Sequence, residues 1–327
     1  MGHLLVLGGT SWLGGEVARS ALARDHEVTC LARGESGDVP AGASLIVADR
    51  SEPGAYDAVI DRRWDAVIDV ARQPGHVRSA LAALGGTTTQ WTFVSTGSVY
   101  ADQSGPLTEG SPLLPAVETD EVGPEEYGEG KVACEEAVAE HPRSLIVRVG
   151  LIGGPGDGSD RFGYYVGRHA LAGAEPVLVP DVADQPMQVI DVRDLATWLV
   201  TVACARESGV VHGAGEPTTV GHLLELSARA SGATGHQVAR SPEELEAAGV
   251  QAWMGERSLP LWLPASHHGM GLMDDTRALG LGLRRRPLAE TLADVLADER
   301  ERGLDRPRRA GLTRSEELEL LGGRLET

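Results

Sequence analysis

Short apolar runs and helical repeats alternate through the first third of the chain. "HLLVL" (3–7), "HEVTCLA" (26–32), "SLIVAD" (44–49), "DAVIDVA" (65–71) and "WTFVST" (91–96) read as strands. Between them, "EVARSALARD" and "GHVRSALAAL" (75–84) space their apolar residues as helices do. Strands this apolar throughout are buried on both faces, so the pattern predicts a parallel sheet covered by helices. Right-handed crossovers then make it doubly wound.

From Ala101 to Glu126 the chain turns acidic and rich in Pro and Gly, which predicts a surface loop. "YGEGKVACEEAVAEH" follows with helical character despite two internal glycines, and "SLIVRVG" (144–150) is another strand. Beyond residue 150 the rhythm loosens, but "QVIDVRDLATWLVTVACA" and "GVVHGAGEPTTVGHLLELSARA" return to strand and helix patterns. The expected organisation is α/β, with a core over 1–150 joined by returning elements near 186–214. A smaller, interleaved C-terminal lobe is expected over 151–185 and 215–327. "LTRSEELELL" (312–321) opens with the capping box Thr313 and Glu316 and predicts a terminal helix.

Composition narrows the function classes. The chain has 327 residues, 42% of them apolar, which is ample for a large core. A formal charge of -19 leaves no basic surplus for phosphate backbones or anionic membranes, so neither nucleic acid nor a membrane is expected as a partner. Cys30, Cys134 and Cys204 are few and scattered, as in a reduced cytoplasmic protein. No Cys/His cluster has metal-ligand spacing, and His267-His268 reads as surface loop, so no metal is expected. The opening "MGHLLVLGGT" lacks a basic flank and reads as a first strand rather than a signal peptide.

Candidate chemistry begins at Gly8, Gly9 and Gly14, between the first strand and the first helix. Such a turn lets the backbone approach a pyrophosphate, and the helix N-terminus offers N–H groups to it. Gly8, Thr10, Ser11, Trp12, Leu13 and Gly14 are thus candidate dinucleotide contacts, with Ser11 where a GxxGxxG loop would have its middle glycine. Val70 and Ala71, closing the "DAVIDVA" strand, join them. The second strand ends Leu31-Ala32-Arg33 rather than on a carboxylate. A carboxylate would repel a 2′-phosphate, whereas Arg33 pairs with one, so NADP(H) is expected over NAD. Asp49 and Arg50, after the third strand, are placed to flank the adenine, although Asp49 also suits a turn.

A second constellation is "EEYGEGKVACEE". Lys131 is the single lysine among 29 Lys and Arg residues, and it lies four after Tyr127, on the same helical face. A phenol titrates near 10, and a fixed ammonium nearby favours its anion. Tyr127 can then exchange a proton with an alcohol or ketone, while Lys131 reaches ribose hydroxyls. A compact ammonium on a flexible stem can serve both groups, where a planar guanidinium cannot. Ser95, Thr96 and Ser98 in "TFVSTGSVY" (92–100) supply hydroxyls to hold the substrate oxygen.

These pieces resemble the extended short-chain dehydrogenase/reductase family, also described as the NAD-dependent epimerase/dehydratase group. The resemblance runs over most of the chain, through "LVLGGTSWLGG", "VSTGSVY", "YGEGK", "LIVRVGLIGGPG", "VIDVRDLA", "GEPTTVGHLLELSA" and "DDTRALGLGLRRRPLAETL". It implies a Rossmann core, a carboxy-terminal lobe over the substrate and a homodimer. It also implies Tyr127 as catalytic acid/base, Lys131 as its partner, and Thr96, four before Tyr100, as the catalytic hydroxyl.

The sequence departs from the sugar-nucleotide members of that family at two points. Leu151 stands where they commonly have Asn, and Met187 about where a basic residue binds the diphosphate. Two polar anchors become apolar, and Arg72, Arg161 and Arg193 are the alternative cations. Trp253, Met254 and Trp262 in "WMGERSLPLWLP" are expected either as an apolar lid or as packing. The leading expectation is therefore an NADP(H)-dependent reductase or dehydrogenase acting on a carbonyl or secondary alcohol of a small molecule. The alternatives are an NAD(P)-dependent epimerase or dehydratase of a sugar or sugar nucleotide, and a non-catalytic dinucleotide-binding protein.

Overall fold

The computed structural model describes residues 2–322. Met1 and residues 323–327, at the outer ends of the expected segments, lie outside the described residues. The elements run β1 (His3–Leu7), α1 (Trp12–Leu22), β2 (Glu27–Ala32), β3 (Ser44–Val47), β4 (Ala66–Asp69), α2 (Pro74–Leu84) and β5 (Trp91–Thr96). Next come α3 (Tyr127–Ala139), β6 (Ser144–Val149), β7 (Leu151–Gly153), α4 (Tyr164–Ala172), β8 (Val177–Pro180), β9 (Pro186–Asp191), α5 (Val192–Ala205) and β10 (Gly209–Gly213). The remainder is β11 (Glu216–Thr219), α6 (Val220–Ser231), β12 (Gln237–Arg240), α7 (Pro242–Ala247), β13 (Gln251–Trp253), β14 (Ser258–Pro260), α8 (Thr276–Gly280), α9 (Leu288–Arg302) and α10 (Arg314–Leu320).

The chain divides into two compact units. The first comprises Met1–Gly150, Val192–Ala214 and Met273–Arg284. Its seven strands are ordered β10-β6-β5-β4-β1-β2-β3, all parallel. This is the doubly wound α/β sheet that the apolar runs predict. Strand order reverses at β1 and β4, so their carboxyl ends open a crevice of the kind that receives ligands in such sheets. Leu5, Leu7, Val67, Trp91 and Phe93 are buried in one cluster with α2 and α3 residues such as Val77 and Val138.

The second unit comprises Leu151–Asp191, Gly215–Leu272 and Arg285–Thr327. It holds a three-stranded sheet, β11-β9-β7, and two parallel pairs, β12-β8 and β13-β14. Helices α4, α6 and α9 pack on one another around a core that includes Phe162, Tyr165, Leu223 and Leu292. The capping box expected at Thr313 and Glu316 is present at the start of α10.

The boundaries differ from the expected 186–214 return. Strand β9 pairs with β7 and β11, so Pro186–Asp191 stays with the second unit and the chain re-enters the first at Val192. Met273–Arg284 also belongs to the first unit. Asp274 N donates to Leu107 O at 2.8 Å, which secures this stretch through a pairing too distant in sequence for local pattern to reveal.

Candidate active site

The glycine loop sits at the end of β1, and each of its glycines has a separate reason. Gly8 has φ +90°, a region costly for any side chain. A Cβ on Gly9 would lie 2.4 Å from Cys30 Sγ on β2, and one on Gly14 only 2.2 Å from the Gly8 carbonyl oxygen. Position 11 makes no such demand, because Ser11 has φ -71° and ψ 161°. Its hydroxyl donates to Gly8 O at 2.7 Å and accepts from Gly14 N at 3.2 Å, so Ser11 is the N-cap of α1. Thr10 and Leu13 are buried beside it, and Trp12 begins the helix.

Across the crevice, Leu7 pairs with Asp69, which brings Gly8 beside Val70. A Cβ on Gly8 would come within 2.7 Å of Val70 Cγ2, so the Val70 side chain packs directly on the Gly8 backbone. Ala71 follows and accepts a hydrogen bond from Lys131 Nζ at 2.8 Å. The same ammonium donates to Val94 O of β5 at 2.6 Å and lies 4.3 Å from the Phe93 ring centroid. Lys131 is 2% exposed, and two of its three N–H groups are thereby used, leaving one for a ligand.

Tyr127 opens α3 one turn before Lys131, half-buried, with the Arg72 guanidinium 5.3 Å from its ring centroid. Thr96 closes β5, buried, and its hydroxyl accepts from Ser98 N at 3.1 Å. The glycines between Tyr127 and Lys131 explain how α3 reaches this edge. A Cβ on Gly128 would lie 2.5 Å from Ser98 O, and one on Gly130 would lie 2.6 Å from Val122 Cγ2. Only glycine lets the helix approach so closely.

Three expected cofactor contacts lie at the far edge of the sheet, with differing fates. Arg33 is exposed beyond β2 and pairs with the equally exposed Glu35 at 3.1 Å. Asp49 accepts from Ser51 N and Ser51 Oγ, and these bonds hold its carboxyl below the usual range. Arg50 is placed otherwise than expected. Its guanidinium is buried against Asp69 at 2.9 and 3.0 Å, with Tyr56 Oη at 3.1 Å and His76 O at 2.7 Å. Flanking an adenine would leave the buried Asp69 carboxylate without its partner, so Arg50 is committed to joining β4 and α2.

In the second unit, Leu151 and Met187 both pack against its apolar core. Trp262 is buried in that core as well, Trp253 lies 4.5 Å beneath the Arg161 guanidinium, and Met254 is exposed. Trp262 is therefore packing and not part of a lid.

Sequence reasoning missed several polar residues of the first unit. Glu135, Arg148 and His212 are buried. The available signal was Glu135, four residues after Lys131 on the same helical face. The buried thiols carry no comparable chemistry, since burial pushes both Cys30 and Cys134 up to about 11. No helix among the described residues is long and apolar enough to cross a membrane.

Residues 4–88 match the model of the NAD dependent epimerase/dehydratase family. No curated protein matches the sequence. Among solved structures, the chain is similar to a UDP-glucose 4-epimerase from Thermotoga maritima with UDP-glucose. Identity is 18%, covering 92% of this chain and 99% of that one, with a TM-score of 0.68. It is also similar to a UDP-glucuronic acid 4-epimerase from Bacillus cereus in complex with NAD, at 15% identity, 91% and 99% coverage and TM-score 0.67. A Bordetella bronchiseptica enzyme in complex with NAD+ matches at 17% identity, 92% and 99% coverage and TM-score 0.68. The family match thus covers the glycine loop and the first strands, and the likeness to these structures extends the shared fold over nearly the whole chain.

Proposed function

We propose that the protein is an NAD(P)-dependent enzyme of the epimerase/dehydratase type, acting at a secondary alcohol of a sugar or sugar derivative. The observation that carries this reading is that Lys131 Nζ reaches Ala71 O, just after β4, and Val94 O on β5, with Tyr127 one turn before it on α3 and Thr96 two residues beyond Val94. The residues fit a dinucleotide. The cradle at Gly8 and Gly14 has no room for a Cβ, α1 presents its N-terminus there, and Lys131 keeps one donor. Gly8 to Gly14, Val70, Ala71 and Lys131 would hold it. When bound, a nicotinamide dinucleotide supplies a hydride acceptor and donor.

The chain's own part is proton transfer and positioning. Thr96 and Tyr127 hold the substrate oxygen; the Tyr127 oxygen takes the proton as phenolate when the alcohol is oxidised and returns it as phenol when the ketone is reduced. Lys131, anchored to two carbonyls, stands one helical turn from that exchange. Two of the similar structures hold NAD, which supports a nicotinamide dinucleotide here. The absence of a carboxylate at the end of β2, with Arg33 exposed there, supports NADP as the preferred form.

A second reading, net reduction or oxidation of a small molecule without a nucleotide diphosphate, is favoured by Leu151 and Met187, whose apolar side chains supply no anion donors. Incubation with a panel of nucleoside-diphosphate sugars and simple carbonyls separates the two. Epimerised or dehydrated product without net dinucleotide consumption supports the first. Stoichiometric NADPH consumption with a carbonyl supports the second. Unchanged turnover in Tyr127→Phe would remove the catalytic assignment from both.

A further inference from the structure

A polar row crosses three strands of the sheet one residue short of Thr96. Ser95 on β5 pairs in register with Arg148 on β6, and Arg148 with His212 on β10. From α3, Glu135 reaches into this row. Ser95 Oγ donates to Glu135 Oε1 at 2.5 Å. Arg148 Nε donates to both Glu135 oxygens at 3.1 Å, and its Nη2 donates to Oε2 at 2.6 Å. Arg148 Nη1 donates to Tyr100 Oη at 3.0 Å and to Glu109 O at 2.9 Å.

The remaining protons follow from what each acceptor allows. His212 Nδ1 faces Asp274 O at 2.8 Å and must donate, since a carbonyl only accepts. His212 Nε2 then accepts from Tyr100 Oη, 2.5 Å away. The network is directional and buried, with Glu135 and Arg148 side chains each 4% exposed. Burying an ion pair in this way gains little stability over apolar packing, so its retention calls for another role.

We infer that Glu135 and Arg148 are positioning residues. They set α3 against β5 so that Tyr127 and Lys131 stand over the crevice beside Thr96. Lys131 and Glu135 lie one turn apart, and each binds β5 or its neighbour: Lys131 through Val94 O, Glu135 through Ser95 Oγ and Arg148. Consecutive residues of one strand thus grip two successive turns of the helix. Gly128 removes the steric barrier to this approach, and the ion pair specifies its register. The inference rests on the proposed dinucleotide reading of the same site.

The test uses the full chain and NADH or NADPH as fluorescent probes, with thermal unfolding measured in parallel. In the double variant Glu135→Leu/Arg148→Met, apolar side chains replace the pair, and the fold is expected to persist with a melting temperature near that of the parent. Its reduced-dinucleotide affinity is expected to fall about tenfold, as Lys131→Met does directly. A folded double variant that binds within twofold of the parent overturns the inference, whereas loss of affinity in the folded protein supports it. Should the double variant not fold, the shape-conserving Glu135→Gln is read by the same rule, and unfolding of both makes the pair structural, against the proposal. Failure of the parent chain to bind either probe sinks the dinucleotide reading itself. Binding that is lost in Lys131→Met but kept in the double variant sinks only the positioning role.

Discussion

Lys131 Nζ donates to the Val94 carbonyl at 2.6 Å, so the single lysine of the chain joins α3 to β5 while lying at the edge of the crevice. The bond couples folding to chemistry. Lys131→Met keeps most of the side-chain volume but removes two hydrogen bonds from a charged donor. Stability should fall by about 1–3 kcal/mol, read from the urea midpoint. Dinucleotide affinity should fall at least tenfold, and an unchanged affinity would detach Lys131 from cofactor binding.

Gly128→Ala tests the close approach of α3. Alanine favours helix over glycine by about 1 kcal/mol. The new Cβ would meet the Ser98 carbonyl at 2.5 Å, and backbone cannot rotate aside. Overpacking of this kind costs about 1–3 kcal/mol, so the clash should win and the variant should be less stable. A stabilised Gly128→Ala protein would show that α3 can move off β5 without cost.

Ser11 separates capping from phosphate binding. Ser11→Ala should lower stability by about 1 kcal/mol through loss of the N-cap, and Ser11→Gly by only a few tenths. Neither should change dinucleotide affinity more than severalfold, because the hydroxyl is already bonded to Gly8 O and Gly14 N. A tenfold loss of affinity in Ser11→Gly would make the hydroxyl a direct ligand.

Arg33→Ala addresses the cofactor form. Its pair with Glu35 is exposed and holds it only weakly, so the guanidinium can turn to a 2′-phosphate. The substitution should weaken NADP binding about tenfold and leave NAD binding nearly unaltered, as measured by titration of both. Equal losses for the two forms would refute a role at the 2′-position.

Acid should destabilise the protein in part through His212. Burial holds its imidazole below the ordinary value, with Arg148 adding to the effect. The unfolded chain therefore takes up protons near pH 6.5 before the folded one does. The contribution of neutral His212 is fully present above that value and is lost as pH falls from it toward the depressed folded value. His26, His76 and His169 are lowered as well, so the slope belongs to the set. His212→Gln should flatten part of it when urea midpoints at pH 7.5 and 5.5 are compared.

The sequence by itself determined the doubly wound sheet, because strands buried on both faces must be written as apolar runs, and these are local. It also determined the two conspicuous motifs. Gly8 and Gly14 are demanded by the backbone, and Lys131 stands out because arginine fills every other cationic side chain of that kind. Tertiary structure decided the rest. Arg50, adjacent to Asp49 in sequence, is drawn from the ligand side into a buried pair with Asp69, a partner 19 residues away. Pro186–Asp191 reads like any other sheet strand, but its partners β7 and β11 assign it to the second unit. Met273–Arg284 returns to the first unit by pairing with Leu107. The row Ser95, Arg148 and His212 exists only in the register of three strands. Local pattern records which face a residue must bury, whereas the identity of a distant polar partner is chosen by register and close approach.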